Sequence, residues 1–374
     1  MANVFDYLKW RGDLLFTQDA PNAVDALIFS GLTYVCYCGR AKEFPEVPIT
    51  LREAAEEFLA MDNCEEEARC KTDIQLLQAA AETNRFGLAK ITMYRDLLIP
   101  EQETQFAAVT FLLDDGTAFL AFRGTDDSLV GWKEDFNMSF QQTVPAQRLA
   151  VQYTREVALE HIVPLRMGGH SKGGNLAVFA AARSSPMIQS RILEVYNNDG
   201  PGFTDYLMGD PGYINMVPRI KTYIPQSSVI GMLLEHEEPY TVIKSKQIGL
   251  LQHDFYSWEV MGRDFIQMQE VTSSSQMLDT TIKTWFSQMS NQERSQLVDV
   301  MFTLLGTGGV ENAWDIFHPK NIRTYLKTLS SDENLRRVLS AEFQSFIDVA
   351  KKTKQQMEEA KALPEGALSE ELSE

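Results

Sequence analysis

A glycine-rich run in the middle of the chain has the residue types and spacing of a reactive serine. Residues 169–173 read Gly-His-Ser-Lys-Gly, between an apolar strand candidate and an alanine-rich helix. In such a strand–turn–helix setting, glycines let the chain reverse, and the helix N-terminus offers N–H groups to a developing oxyanion. The pattern predicts that Ser171 is a nucleophile. A glycine-rich turn with an incidental serine is the alternative.

A nucleophilic serine needs a base, and the chain contains five histidines. Hydrolases with this kind of turn have the chain order serine, acid, histidine. After Ser171 come His236, His253 and His318, of which His318 belongs to a helical region. We predict that His253 is the base, because it follows a Gly-Leu-Leu-Gln loop after the last strand candidate. A loop histidine bonded to backbone is the alternative.

The acid has several candidates, which follow the strand after the serine helix: Asp199, Asp205, Asp210, Glu235, Glu237 and Glu238. We predict Asp199, because it comes at the carboxyl end of a strand, where open sheets place their sites. The sequence Asp-Gly-Pro that begins at this residue is also ordinary turn chemistry. Both interpretations of Asp199 stay open.

The elements that must position these residues alternate between strands and helices. Strand-like runs at 104–113 and 117–122 flank Asp-Asp-Gly, which predicts a hairpin. Further strands are predicted at 165–168, 191–197, 219–224 and 240–244, with helices at 146–161 and 175–183. This alternation predicts an α/β fold with a mostly parallel central sheet.

Helical patterns dominate both ends of the chain. Amphipathic spacing at 51–59 and 73–81 predicts helices. We divide the chain into an N-terminal helical segment, an α/β core, a C-terminal helical segment and an acidic tail predicted to be disordered. These are residues 1–84, 85–270, 271–362 and 363–374.

Composition excludes several classes of function. The chain carries 34 basic and 52 acidic residues, a net charge of −18, which disfavours nucleic acid and anionic membrane surfaces as partners. Cys36 and Cys38 lie in an apolar run and are predicted to be buried thiols. The four cysteines lack the spacing of a zinc site, so no metal is expected. With neither a signal peptide nor a transmembrane segment recognisable, a cytoplasmic location is expected.

Several blocks of the sequence resemble a known family. Residues 121–127, followed by Trp132 and Asp135, are similar to the oxyanion block of the class 3 lipases, and residues 169–174 are similar to their serine turn. Downstream, residues 228–231, 235–240 and 252–254 resemble their acid, strand and histidine blocks. The resemblance covers about residues 85–265. It implies an α/β-hydrolase fold with added terminal helices, in a bacterial branch of that superfamily.

The resemblance assigns a role to each matching residue. It makes Ser171 the nucleophile and His253 the base. The backbone N–H groups of Thr125 and Lys172 would bind the oxyanion, with the Thr125 hydroxyl as an extra donor. Lys172 stands where the family usually has an apolar residue.

The acid departs from the family pattern, because the family's aspartate falls on Ser228. A serine cannot stabilise an imidazolium as a carboxylate does. Either Asp199 supplies the carboxylate, or the triad is incomplete. The other residues of the oxyanion block have two interpretations. Arg123, Asp126 and Asp135 are expected to be ion-paired scaffold and Trp132 a core anchor, and direct participation in the chemistry is the alternative.

These residues predict a serine hydrolase that acts on carboxylic esters, lipase-like or esterase-like, through an acyl-enzyme on Ser171. The substrate would be a small-molecule or lipid ester, and no cofactor is implied. The alternative is a catalytically inactive hydrolase fold that binds or regulates, which the missing acid at Ser228 would favour. The sequence leaves the oligomeric state and the acyl chain length open.

Overall fold

The computed structural model describes residues 2–37, 48–126, 128–308 and 318–362. Its centre is an eight-stranded sheet whose strands lie side by side in chain order. The strands are β1 Ile49–Thr50, β2 Lys90–Ile99, β3 Thr104–Leu112, β4 Ala118–Phe122, β5 Leu165–His170, β6 Ile192–Asn198, β7 Ile220–Pro225 and β8 Tyr240–Ile243, and a separate hairpin pairs β9 Val260–Met261 with β10 Asp264–Phe265.

The sheet is antiparallel at one side and parallel over the rest. Pairs from β1 to β4 are antiparallel, and pairs from β4 to β8 are parallel. The predicted α/β fold with a mostly parallel sheet is therefore confirmed. The predicted hairpin around Asp-Asp-Gly is present as β3 and β4, with Gly116 at φ 79° in its turn.

Fifteen helices are found in the described part of the chain. Before the parallel strands come α1 Val4–Arg11, α2 Ala23–Gly31, α3 Leu51–Leu59, α4 Lys71–Ala81 and α5 Asn84–Gly87. Among the strands are α6 Leu129–Asn137, α7 Pro145–Glu160, α8 Lys172–Ala182, α9 Pro186–Gln189, α10 Asp205–Met208 and α11 Pro211–Met216. After them come α12 Ser273–Ser287, α13 Asn291–Gly306, α14 Pro319–Ser331 and α15 Glu333–Ala362.

Both faces of the sheet are covered, and strand β4 shows how its sequence achieves this. All five of its residues are buried, because alternate side chains enter different cores. Phe119 stacks on Phe29 of α2 at 4.9 Å between ring centroids. Phe122, on the other face, contacts Tyr153 of α7 edge-on at 5.9 Å. Helix α2 therefore supports one face of the sheet, and α7 and α8 support the other.

The terminal segments differ in how they join the sheet. Buried residues of α1 to α4 share one apolar cluster with the β3 and β4 side chains. In the C-terminal segment, α13 contacts α6 through a Lys133–Asp299 ion pair and the rings of Phe136 and Phe302. The division of the chain at residues 84 and 270 stays a prediction. The acidic tail at 363–374 and Cys38 lie outside the described residues.

Three elements differ from expectation. Strand β2 was not predicted, because Met93 at φ 54° accompanies a register shift between Thr92 and Arg95 that interrupts the alternation of side chains. Helix α6 was also missed. The apolar residues 25–29 and 32–35 predict one helix, but α2 ends at Gly31 and the chain continues only as a 3-10 turn. Across the described ranges, every helix is too short or too polar to cross a bilayer.

Candidate active site

Ser171 occupies a sharp turn between strand and helix. Strand β5 ends at His170 and α8 begins at Lys172, leaving Ser171 alone between them at φ 58° and ψ −133°. A Cβ atom at Gly169 would lie 2.1 Å from the carbonyl carbon of Gly173, so glycine is required there. The backbone strain at this half-buried serine is typical of a nucleophile held by its surroundings.

His253 and Asp199 are in direct contact. The Nδ1–H group of His253 donates to Oδ2 of Asp199 at 2.6 Å. Asp199 is fully buried, whereas the His253 side chain is 29% exposed. The contact fixes the tautomer of His253 and leaves its Nε2 as the nitrogen that can exchange a proton with a nucleophile.

Asp199 is held by the segment that carries Ser228. The Ser228 hydroxyl donates to Oδ1 of Asp199 at 2.5 Å, and the Gly231 N–H group donates to the same oxygen at 3.2 Å. Asp199 directly follows β6 and has φ 54°. The sequence left open whether Asp199 is a triad acid or only a turn residue. In the structure its carboxylate contacts His253, and Ser228 donates a hydrogen bond to this carboxylate instead of replacing it.

Ser171 and His253 are not yet hydrogen-bonded to each other. Over the residues that the structure describes, the Ser171 hydroxyl makes no hydrogen bond. Catalytic hydrogen bonds of free enzymes are often long and tighten only with substrate. His253 nevertheless lies against the serine turn, since its ring is 4.6 Å between centroids from the ring of His170, the residue before Ser171.

The loop that carries Thr125 lies against the serine turn. A Cβ atom built on Gly124 would be 3.2 Å from Cβ of Ser171 and 2.5 Å from the carbonyl oxygen of His170. Thr125 follows directly, and Lys172 is the first residue of α8, where N–H groups have no partner within the helix. Both predicted oxyanion donors therefore border Ser171.

The Thr125 hydroxyl has a different partner from the one expected. It donates to Oδ2 of Asp135 in α6, so in this state it is not free to act as an extra oxyanion donor. Oδ1 of Asp135 is buried without a hydrogen-bond partner in the described structure. Burial raises the pKa of Asp135 to about 6, although Lys172 and Thr125 act to lower it.

The Lys172 side chain points away from solvent into a polar cluster. The side chain is 1% exposed, and its Nζ lies 2.6 Å from Oε1 of Gln105 and 3.1 Å from Oε2 of Glu134. Glu134 is itself fully buried and accepts the N–H groups of Gln105 and Ala146. The residue that departs from the family pattern thus ties α8 to α6 and to the start of β3.

The rest of the oxyanion block is mostly scaffold, as expected. Arg123 pairs with Asp96 at 2.7 Å and approaches Asp126 at 3.9 Å. The expectation that Trp132 is a core anchor is wrong: it lies on the outer side of α6 and is 39% exposed. Cys36 is half-buried, not fully buried, and its Sγ lies 3.0 Å from Oδ2 of Asp96.

Three other candidates, His236, Glu238 and Asp210, make structural contacts. His236 bonds Glu238 through Nδ1 and the carbonyl oxygen of Gly231 through Nε2, each at 3.0 Å. Asp210 caps α11 and pairs with Arg183. In the described ranges, no three histidine, cysteine, aspartate or glutamate side chains are grouped as a metal ion would require.

Sequence reasoning missed the residues that hold this site. Neither the Ser228–Asp199 bond nor the contact of Tyr34 with His170, at 2.9 Å, has a local signal. The Arg69–Asp73 ion pair does have a local signal, because a basic and an acidic residue four positions apart near the start of a helix are spaced to pair.

The class of the fold follows from these observations. A mostly parallel sheet, a strained serine between strand and helix, an acid directly after β6 and a histidine in a turn after β8 define a lipase-like α/β-hydrolase fold. The chain belongs to the Mbeg1-like family, whose model matches residues 80–303. No curated protein matches the chain significantly.

Several solved structures are similar to this chain at low identity. A mutant of MDLA from Penicillium cyclopium is 13% identical, with 65% of this chain and 83% of that chain covered and a TM-score of 0.37. The Rhizomucor miehei lipase propeptide complex is 13% identical, with 71% and 94% covered and a TM-score of 0.37. A fungal lipase–inhibitor complex is 16% identical, with 54% and 83% covered and a TM-score of 0.33.

Proposed function

We propose that this protein is a serine hydrolase that cleaves carboxylic esters through an acyl-enzyme on Ser171. His253 would take the proton from the Ser171 hydroxyl and later give it to the leaving alcohol. Asp199 would stabilise the imidazolium that forms. The observation that carries the proposal is the 2.6 Å hydrogen bond between His253 and the buried Asp199, close to a serine with strained backbone.

The reaction has two balanced halves. Oγ of Ser171 attacks the acyl carbon as its proton passes to His253. The C–O bond to the alcohol then breaks, and the alcohol leaves with that proton. Water, deprotonated by His253, attacks the acyl-enzyme, releasing a carboxylic acid and restoring Ser171. The N–H groups of Thr125 and Lys172 would stabilise the oxyanion in both halves.

The substrate is proposed only as a class, small-molecule or lipid ester. A cytoplasmic location and relatives in bacteria stay predictions. Hydrolysis of p-nitrophenyl esters of graded acyl length by the full chain tests both activity and length preference. Turnover that disappears in Ser171→Ala supports the proposal, and turnover at the wild-type rate in that variant contradicts it.

A second function, binding without turnover, is favoured by one observation. The Ser171 hydroxyl has no hydrogen bond to His253 in the described structure, so the nucleophile and the base are not joined in this state. A dead site would bind an ester or acid without releasing an alcohol. Calorimetric binding of a fatty acid, with no ester hydrolysis and no covalent labelling, would favour this second function.

A further inference from the structure

His170, the residue before the serine, makes two hydrogen bonds that the proposed mechanism does not use. Its Nε2 lies 2.8 Å from the carbonyl oxygen of His253, and its Nδ1 lies 2.9 Å from the hydroxyl of Tyr34. A carbonyl oxygen only accepts, so Nε2 must carry the proton. Nδ1 is then the acceptor, and the Tyr34 hydroxyl must donate to it.

Tyr34 is itself fixed by its neighbours. The guanidinium of Arg69 lies over the Tyr34 ring, 3.8 Å from its centroid, and pairs with Asp73 at 2.9 Å. Asp73 also accepts a hydrogen bond from Tyr256 at 2.6 Å. The same network thus holds His170 from one side and the chain just after His253 from the other.

These contacts join the N-terminal segment to the candidate base. Tyr34, Arg69 and Asp73 all precede residue 80, where the match to the family model begins. The proposed function requires the His253 ring to remain against Asp199 while its other nitrogen serves Ser171. Since His253 is the last residue of a short 3-10 turn and its side chain is 29% exposed, its own packing leaves it freedom to turn.

Resting on the proposed function, we infer that His170 and Tyr34 are positioning residues for His253. Tyr34 holds His170 in the tautomer whose Nε2–H group anchors the His253 carbonyl, and this anchor keeps the His253 ring on Asp199. Neither residue touches the reacting atoms.

The surroundings of His170 suit a neutral ring with one fixed tautomer. Burial, together with His253 and Arg69, holds the pKa of His170 well below its ordinary value. Edge contacts with Phe255 and Trp258, at 5.1 and 6.1 Å between centroids, restrict rotation of the ring. If the Tyr34 hydroxyl were lost, only the His253 carbonyl would select the Nε2–H tautomer, and the buried Nδ1 would lose its donor.

The first test removes one hydroxyl group. Tyr34→Phe is compared with Tyr37→Phe, a matched control in which an equally buried hydroxyl donates only to the carbonyl of Leu32, at 2.9 Å. We expect Tyr34→Phe to lower kcat for a p-nitrophenyl ester, and the rate of Ser171 labelling by a fluorophosphonate, by about tenfold with KM unchanged. The control should behave as wild type, and melting temperatures should match between the two variants.

A second pair of variants separates hydrogen bonding from packing. In His170→Gln the side-chain amide can still donate toward the His253 carbonyl, whereas in His170→Asn the shorter side chain cannot reach it. We expect His170→Gln to keep most of the wild-type labelling rate and His170→Asn to lose it. Equal rates in these two variants, or a wild-type rate in Tyr34→Phe, would overturn the inference.

A readout without turnover distinguishes this inference from the proposed function. The His253 Nδ1 proton, bonded to Asp199, should give a low-field NMR resonance that is absent in Asp199→Asn. We expect this resonance to weaken in Tyr34→Phe and to persist in Tyr37→Phe. If the fluorophosphonate did not label Ser171 in wild type, the proposed function would be wrong. The NMR resonance would still test the inference, which is wrong if the resonance is unchanged in Tyr34→Phe.

Discussion

The carboxylate of Asp199 bonds both the candidate base His253 and Ser228, the residue on which the acid of the class 3 lipases falls. Its Oδ1 accepts the Ser228 hydroxyl at 2.5 Å, and its Oδ2 accepts the His253 Nδ1–H group at 2.6 Å. The resemblance to class 3 lipases places the acid at Ser228, whereas in this structure the carboxylate that contacts His253 is that of Asp199, directly after β6.

Asp199→Asn should lower kcat by roughly 10³–10⁴-fold, because an amide stabilises the wrong tautomer of His253 and cannot offset the charge of an imidazolium. The fold should survive, since asparagine tolerates the positive φ of this turn. Steady-state kinetics measure the fall in kcat, and circular dichroism measures whether the fold survives. Loss of less than about tenfold in kcat would mean that Asp199 is only a turn residue.

Ser228→Asp, which places a carboxylate where the resemblance expects the acid, should not raise kcat above that of wild type. A second carboxylate at hydrogen-bond distance from Asp199 would repel it, so one of the two would be protonated or displaced at neutral pH. We expect kcat to fall and the unfolding free energy to drop. Ser228→Ala is the control, and it should cost about 1–2 kcal/mol of unfolding free energy for the lost hydrogen bond. Higher kcat in Ser228→Asp than in wild type would contradict this account.

Much of the fold and part of the site followed from local sequence patterns. The serine turn and the candidate base His253 are recognisable because glycine spacing and chain order are local features. Strand β2 was missed because its bulge at Met93 breaks the alternation. The Asp199–Ser228 bond joins residues 29 apart, and Tyr34 reaches His170 across 136 residues. Such pairs depend on tertiary packing and leave no periodic trace.

Lys172→Met should destabilise the protein strongly, by about 3–5 kcal/mol in urea unfolding, because it leaves the buried Glu134 carboxylate without its cation. The double variant Lys172→Met with Glu134→Gln should recover part of that loss. Lys221→Met is the matched control, since it removes a surface pair with Glu194 and should cost about 1 kcal/mol or less. An equal cost for Lys172→Met and Lys221→Met would show that the buried pair is dispensable.

Asp135 should make stability depend on pH. Its pKa is raised from 3.8 to about 6 by burial, so the folded protein binds the proton more tightly than the unfolded chain does. This contribution is present in full below pH 3.8 and is lost as the pH rises through about 6. The asparagine side chain of the Asp135→Asn variant does not titrate, so this variant is the reference. The unfolding free energy of wild type should therefore fall relative to this variant between those pH values, and a constant difference would contradict the prediction.

Fluorophosphonate labelling of the full chain, followed by mass spectrometry of the labelled peptide, tests the central claim most directly. The account predicts one adduct, on Ser171, formed rapidly in wild type and far more slowly in His253→Ala. Glu238→Gln is a suitable control, because it changes the acid beside His236 and leaves the Asp199–His253 pair intact. No adduct on Ser171, or equal labelling rates in wild type and His253→Ala, would contradict it.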